Sequence, residues 1–247
     1  MRTGMTKQKP IIFVGSRWGF DFLTENCELL GIEVLGFLDR FYPVGHVIKG
    51  VPCIGSDLEL YDNPTKYADA MFFLGNGWDG NSRAEKPEES GYSLRKMRIQ
   101  LINDLKLPVH SLIHPETKIS RGSTLGRGAY TGRWVDIRDD VKWGDFCEAL
   151  DYAAFGHDVE LGDNCFISVK GFLAGGVKAG NNVFIGCNAT VVPGRYGENL
   201  ILGDDVKVHG HSYVVKSMEP GTTALYSGKM MRRNDVDPDE QELNISG

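Results

Sequence analysis

Residues 153–177 read AAFGHDVELGDNCFISVKGFLAGGV, and a large apolar residue returns every six places, at Phe155, Leu161, Ile167 and Leu173. Four places after each stands a small or β-branched residue: Val159, Cys165, Gly171 and Val177. The register runs outward both ways, through Ile119, Leu125, Thr131, Ile137, Trp143 and Ala149 before it and Ala179, Ile185 and Val191 after it. Twelve of these thirteen positions are apolar. A helix would repeat near 3.6 residues and a half-buried strand every two, so neither template fits. A six-residue period belongs to a solenoid of short parallel strands, a β-helix. Glycine follows the apolar position in seven hexads, at Gly126, Gly132, Gly144, Gly156, Gly162, Gly180 and Gly186. There a tightly turning backbone is expected to use glycine's permissive dihedrals.

After Val191 the pattern breaks at Pro193-Gly194-Arg195-Tyr196-Gly197-Glu198-Asn199 and resumes with Leu202, Val206, Val208, Ser212 and Val214. The break amounts to a loop of about five extra residues by the spacing of the hexads. The tail from Asn234 is acidic and poor in apolar residues, which predicts a frayed end.

Before the hexads the pattern is that of an α/β unit. Ile11 to Gly15 reads as a buried strand ending in a glycine turn, and Phe20, Phe22, Leu23, Cys27, Leu29 and Leu30 form a helical apolar face. Further strands are expected over Glu33–Leu38, Gly50–Gly55 and Ala70–Leu74, with Ser56 capping a helix. The polar stretch from Trp78 to Gly91 reads as a long loop, lid or simply mobile. Leu94 to Leu105 reads as a basic amphipathic helix, and Pro108 to Ile113 as a crossing strand. Three parts follow: an α/β unit over 10–110, the β-helix over 111–233 and an acidic tail over 234–247.

The 247 residues suffice for two cores, and 41% apolar with 24% charged residues is an ordinary globular composition. A net charge of −6 offers no footprint for a polyphosphate backbone, which argues against nucleic acid. The apolar run Ile11-Ile12-Phe13-Val14 is too short for a signal peptide or a membrane span, so a cytoplasmic protein is expected. The five cysteines form no CxxC pair, and Cys147 and Cys165 fall on inward positions, as buried small hydrophobes. Among the six histidines no set of three has zinc-site spacing, so no metal is expected.

The one suggestive constellation is His157-Asp158, which its hexad places at an outward turn. An imidazole can take a proton from an attacking amine or hydroxyl, and a neighbouring carboxylate can hold its tautomer. By themselves the two residues read equally as solvated surface.

The chain resembles the two-domain bacterial sugar acyltransferases, in which a small Rossmann-like N-terminal domain precedes a left-handed β-helix of hexapeptide repeats. This family includes nucleotide-sugar N-acetyltransferases and sialic-acid O-acetyltransferase-like proteins. The likeness covers residues 10–233 and rests on the Gly15 turn, Gly36-Phe37-Leu38-Asp39, Gly50-Val51-Pro52 to Gly55 and Gly75-Asn76-Gly77. It also rests on Leu112-Ile113-His114-Pro115, the hexads, and Val214-Val215-Lys216 to Pro220-Gly221.

The resemblance implies acyl transfer, acetyl in the first instance, from acyl-CoA to an amine or hydroxyl of a nucleotide-linked sugar in surface-glycan biosynthesis. It makes His157 the base and Asp158 its orienting partner, with backbone N–H groups of Ala174-Gly175-Gly176 available to an oxyanion. It implies a homotrimer with acetyl-CoA against Phe166, Gly175, Cys187 and Gly210, Phe166 being open to a second reading as packing between coils. It brings Gly15, Ser16 and Arg17 to the phosphates of the sugar nucleotide and Asp39 and Arg40 near its nucleoside, with Gly55 also in the substrate site. The glycine turn is not a GxGxxG fingerprint, so NAD is disfavoured. Large residues in the early hexads, Trp143 and Arg138, and the departure at Tyr226-Ser227-Gly228-Lys229-Met230 leave one alternative: a non-catalytic scaffold that binds nucleotide or sugar.

Overall fold

The structure, a computed structural model, describes residues 8–16, 20–75, 91–193 and 199–226. Arg17, the loop expected over 78–91 except Gly91, the turn at 227–230 and the acidic tail lie outside the described residues.

The first five strands are β1 (Ile11–Val14), β2 (Val34–Leu38), β3 (Val47–Ile48), β4 (Val51–Gly55) and β5 (Met71–Leu74). They form one sheet in the order β3-β4-β2-β1-β5, parallel except where β3 meets β4. All four residues of β1 are buried, as a central parallel strand with both faces covered requires. Helix α1 (Phe20–Leu30) buries Phe20, Leu23 and Cys27, and Phe20 stacks on Phe13 at 5.3 Å. Phe22 and Leu29, expected on the same face, are 51% and 54% exposed because they sit on the far side of the helix. Ser56 does not cap a long helix. Its hydroxyl accepts from the Leu58 N–H, and only the four-residue α2 (Glu59–Asp62) follows.

Helix α3 (Gly91–Asp104) departs most from expectation. Two of its basic residues, Arg95 and Arg98, are among the largest fully buried side chains of the protein. Arg95 donates to Glu148 Oε1 at 2.6 Å, Asn164 Oδ1 at 2.6 Å and the Phe146 carbonyl at 2.8 Å, tying α3 to the β-helix. Arg98 instead faces the sheet, bonding Asp57 at 2.8 Å and Asp39 at 2.9 Å. Each buried cation is matched by buried carboxylate and amide oxygens, the condition under which such groups are tolerated.

The β-helix opens with β6 (Leu112–Ile113), which pairs in register with Tyr130–Thr131. From there to the rung Phe172–Leu173 each two-residue rung pairs in parallel with the rung eighteen residues later, as Asp136 does with Ala154 and Glu148 with Phe166. Three hexads therefore make one coil. The inward column of apolar and small residues, Val135 to Val191, forms a single core cluster. Thr131, the polar exception, is fully buried, and its hydroxyl bonds Thr117 Oγ1 at 2.7 Å and the His114 N–H at 3.0 Å. After Val191 the pairing offset lengthens: Lys178 meets Ile201, 23 residues on. The five-residue insertion read from the spacing is thus accommodated without losing the coil.

The seven hexad glycines are not used for unusual dihedrals. The left-handed position falls two residues later, at Trp134, Asp140, Phe146, Tyr152, Asp158, Asn164, Lys170, Gly176, Asn182 and Asn188, with φ between 54° and 75°. From Phe146 to Asn188 each such backbone is held by the preceding coil: the N–H groups of Phe146, Tyr152 and Asp158, for example, donate to the carbonyls of Arg127, Arg133 and Asp139 at 2.7–3.0 Å. The hexad glycines serve close approach instead. A β-carbon on Gly126 would lie 2.3 Å from the Gly144 carbonyl oxygen, and one on Gly156 would lie 2.4 Å from the Gly175 nitrogen. Among the described residues no helix is long and apolar enough to cross a membrane.

Candidate active site

His157 and Asp158 stand at a corner of the β-helix, just beyond the rung Ala154–Phe155. Their side chains are 72% and 64% exposed. The turn sets the pair by backbone means: Asp158 takes the left-handed conformation at φ 58°, and its N–H bonds the Asp139 carbonyl at 3.0 Å. Its Oδ2 lies 2.7 Å from His157 Nδ1. A carboxylate only accepts, so this bond places the imidazole proton on Nδ1 and leaves a lone pair on Nε2.

In the next coil the residues stacked on this pair are Gly175 and Gly176, since rungs repeat every eighteen residues here. A β-carbon on Gly175 would lie 2.6 Å from His157 Nε2, so the imidazole occupies the space that any other residue there would fill. At another corner the stacked positions are Asp145, Asp163, Asn181 and Asp204. Each carries an oxygen that accepts a backbone N–H of the coil before it, at 2.7–2.8 Å. The two glycines break that habit and leave a notch. On its far side Asn199 Oδ1 comes within 3.4 Å of where a Gly176 β-carbon would sit.

The backbone donors expected across Ala174-Gly175-Gly176 are mostly consumed. Ala174 donates to the Val191 carbonyl and Gly176 to the His157 carbonyl, both at 2.9 Å. Only Gly175 keeps an N–H with no backbone acceptor among the described residues.

The remaining expected cofactor contacts divide. Phe166 is 6% exposed and stacks on Phe184 with parallel rings at 5.6 Å, on a different sheet from the rung before His157. Its place in this chain is a packing one. Cys187 is exposed, and a β-carbon on Gly210 would meet its Sγ at 3.1 Å, so these two stand together at another corner. Cys147 and Cys165 are buried, as expected.

In the α/β unit, Gly15 follows β1 at φ 92° and abuts Gly75 after β5, whose β-carbon would lie 2.2 Å from the Gly15 carbonyl oxygen. Chain order reverses between β1 and β5, and crevices at the carboxyl ends of such strands are where open α/β sheets bind ligands. Ser16 points at this crevice's neighbour, donating to Asp39 Oδ2 at 2.8 Å. Asp39 is 2% exposed, with its other oxygen taken by the Phe41 N–H at 3.0 Å. Arg40 is held by Asp57 at 3.0 Å. Gly55 is walled in by Glu59, Leu38 and Tyr67. Asp39 and Arg40 are therefore partnered within the chain. Asp57 and Arg98, which complete this network, carry no local motif: each stands among other charged residues, Asp57 near Glu59 and Asp62 and Arg98 near Arg95 and Lys96, and nothing in the sequence singles it out.

No protein-family model matches the chain. Among solved structures, a variant of perosamine N-acetyltransferase from Caulobacter crescentus, in complex with CoA and GDP-perosamine, superposes with a TM-score of 0.73. The sequences are 24% identical, and the match covers 87% of this chain and 92% of that one. The acetyltransferase domain of PglB from Neisseria gonorrhoeae gives 0.72 at 19% identity, over 87% and 96% of the two chains. The chain shares the fold of these acetyltransferases. WeeI from Acinetobacter baumannii has it too, with a TM-score of 0.62 at 19% identity over 87% and 95%. By sequence the chain is 23% identical over 206 residues to the bifunctional protein GlmU of Clostridium botulinum. That match takes in 76% of this chain and 44% of GlmU, so the chain spans less than half the length of this curated relative.

Proposed function

We propose that the chain transfers an acyl group, acetyl first, from acyl-CoA to an amino or hydroxyl group of a nucleotide-linked sugar, in glycan biosynthesis in the cytoplasm. One observation carries this: an exposed imidazole, fixed at Nδ1 by Asp158, directs Nε2 over the bare Gly175-Gly176 turn. The acetyltransferase with CoA and GDP-perosamine that shares the fold supports it over 87% of the chain.

The acceptor nitrogen or oxygen attacks the thioester carbonyl carbon while the carbonyl electron pair moves onto oxygen. His157 Nε2 takes the proton from the attacking atom, and Asp158 steadies the imidazolium. The Gly175 N–H faces the oxyanion. Collapse re-forms the carbonyl, breaks the carbon–sulfur bond and returns the proton to the departing CoA sulfur.

On this reading residues 10–110 are a small Rossmann-like domain that holds the nucleotide sugar at the Gly15-Gly75 junction. Ser16 and Arg17 approach its phosphates near the start of α1, a place suited to anions. Residues 111–233 form a left-handed β-helix. The chain works as a homotrimer, with acetyl-CoA along Gly175, Cys187 and Gly210 in the groove between neighbouring β-helices.

Thiol release from acetyl-CoA, measured with a panel of nucleotide amino sugars, tests the proposal. His157→Ala should lower turnover by at least about 100-fold with the fold intact. Equal activity would remove His157 from the mechanism, and sedimentation of a monomer would remove the shared groove. A chain that binds nucleotide sugar but not acetyl-CoA by calorimetry would be a scaffold.

A further inference from the structure

Counting back from the rung Ile201–Leu202, which pairs with Lys178–Ala179, the residue stacked on Gly176 is Asn199. One column at this corner therefore reads Gly122, Asp140, Asp158, Gly176, Asn199, and the five-residue insertion is what brings an asparagine into it. The His157–Asp158 rung and the Asn199 rung are two coils apart, about 10 Å at the spacing of hydrogen-bonded strands. Between them stand two glycines with no side chains.

Polar atoms lean into that notch from both sides. His157 Nε2 fills the place of a Gly175 β-carbon at 2.6 Å, and the Asn199 amide reaches within 3.4 Å of the place of a Gly176 β-carbon. The Asn199 side chain is exposed, and no hydrogen bond holds its amide among the described residues. In the proposed reaction the attacking atom, hydrogen-bonded to Nε2, the carbonyl carbon it attacks and the carbonyl oxygen beyond lie in this notch. That oxygen needs donors as it gains charge, and of the three N–H groups across Ala174-Gly175-Gly176 only that of Gly175 has no backbone acceptor among the described residues, since Ala174 and Gly176 are spent on the Val191 and His157 carbonyls.

We infer that Asn199 is a catalytic residue of the acyl transfer proposed above, its Nδ2–H₂ donating to the thioester carbonyl oxygen alongside the Gly175 N–H. The amide presents oxygen or nitrogen by a half-turn of its last torsion, so either end can face the notch. The residue moves no proton. It strengthens a bond as the carbonyl π pair localises on oxygen, and releases that gain when the carbon–sulfur bond breaks.

This inference rests on the proposed acyl transfer, and kinetics separates the two. Removing one oxyanion donor costs on the order of 100-fold in kcat. Asn199→Ala should show that loss with KM for acetyl-CoA and for the acceptor within about threefold of wild type. Asn199→Asp, which sets a carboxylate against the oxyanion, should recover nothing, and Asn199→Gln should recover part of the loss. Thermal unfolding should match wild type in all three, since the side chain supports no packing. A wild-type chain that turns over acetyl-CoA, with Asn199→Ala within threefold in kcat, overturns the Asn199 assignment alone. So does a loss carried by the KM of the acceptor, which would make the amide a substrate-binding group. A wild-type chain that releases no thiol with any acceptor overturns the acyl-transfer proposal, and Asn199 with it.

Discussion

His157 and Gly175 share one space: the imidazole Nε2 lies 2.6 Å from the point a β-carbon on Gly175 would occupy. The glycine is there for the side chain of another coil, its own φ lying outside the left-handed range.

Gly175→Ala should therefore push the ring aside without unfolding the chain, because a flexible side-chain end can yield where backbone cannot. Turnover of acetyl-CoA should fall about 100-fold, as a misplacement of roughly 1 Å allows. The melting temperature should stay within about 2 °C, roughly 1 kcal/mol for a chain of this size. Unchanged turnover would separate the imidazole's position from the reaction.

Gly156→Ala should do the opposite, though the two glycines lie close together in adjacent coils. Its β-carbon would meet the Gly175 nitrogen at 2.4 Å and the Ala174 carbonyl carbon at 2.8 Å, and neither can move without separating two coils. A loss of about 3 kcal/mol in urea unfolding is expected, at the upper end for overpacking. A change below about 0.5 kcal/mol would refute the close-approach role of the hexad glycines.

Asp158→Asn keeps the left-handed backbone, which asparagine tolerates, but lets the side-chain amide present a donor to Nδ1. The wrong tautomer then becomes available, with the proton on Nε2. Turnover should drop roughly 10- to 100-fold with little change in KM for acetyl-CoA, a loss at or below the usual size of a general-base contribution. Steady-state kinetics with both substrates varied would check it.

Asp57 links stability to pH. Its burial pushes the carboxyl up, but hydrogen bonds and charge from Arg40 and Arg98 outweigh this and hold it below its ordinary value. A carboxyl depressed in the folded state contributes stability above its unfolded pKa, about 3.9, and that contribution is lost as pH falls toward the folded value. Asp57→Asn leaves Arg98 buried with a weaker partner, and should cost about 3 kcal/mol in urea unfolding at pH 7. The gap from wild type should narrow below about pH 4. A gap that stays constant with pH would show that the charge is not what the network uses.

The fold was readable wherever its cause is local. Phe155, Leu161, Ile167 and Leu173 declare the coil because each hexad obeys the same inward-facing rule as the last, and the five-residue break after Val191 shows as a lost and regained phase. His157 and Asp158 are chain neighbours, so their pairing was visible as well. The seven hexad glycines are plain in the sequence but their role is not, since a dihedral preference and a backbone approach leave the same letter there. Arg95 and Arg98 looked like the polar face of a surface helix. Their partners Glu148 and Asp57 are 53 and 41 residues away, and nothing in the sequence near α3 announces them. Asp39 read as open to a ligand, whereas Ser16, Phe41 and Arg98 close around it.

The sequence by itself determined the solenoid, its repeat of six and the outward turn that carries His157, because period and turn are properties of successive residues along the chain. Only the tertiary structure decided which residues meet: His157 with Gly175 and Gly176 with Asn199 between coils, and Arg95 of α3 with Glu148 of the β-helix. Those meetings depend on the number of residues in a coil and on the length of an insertion, which together set the stacking, and on a helix that docks from outside the repeat. Chemistry at the corner needs atoms from successive rungs at once, so it comes into view only when the coils are stacked.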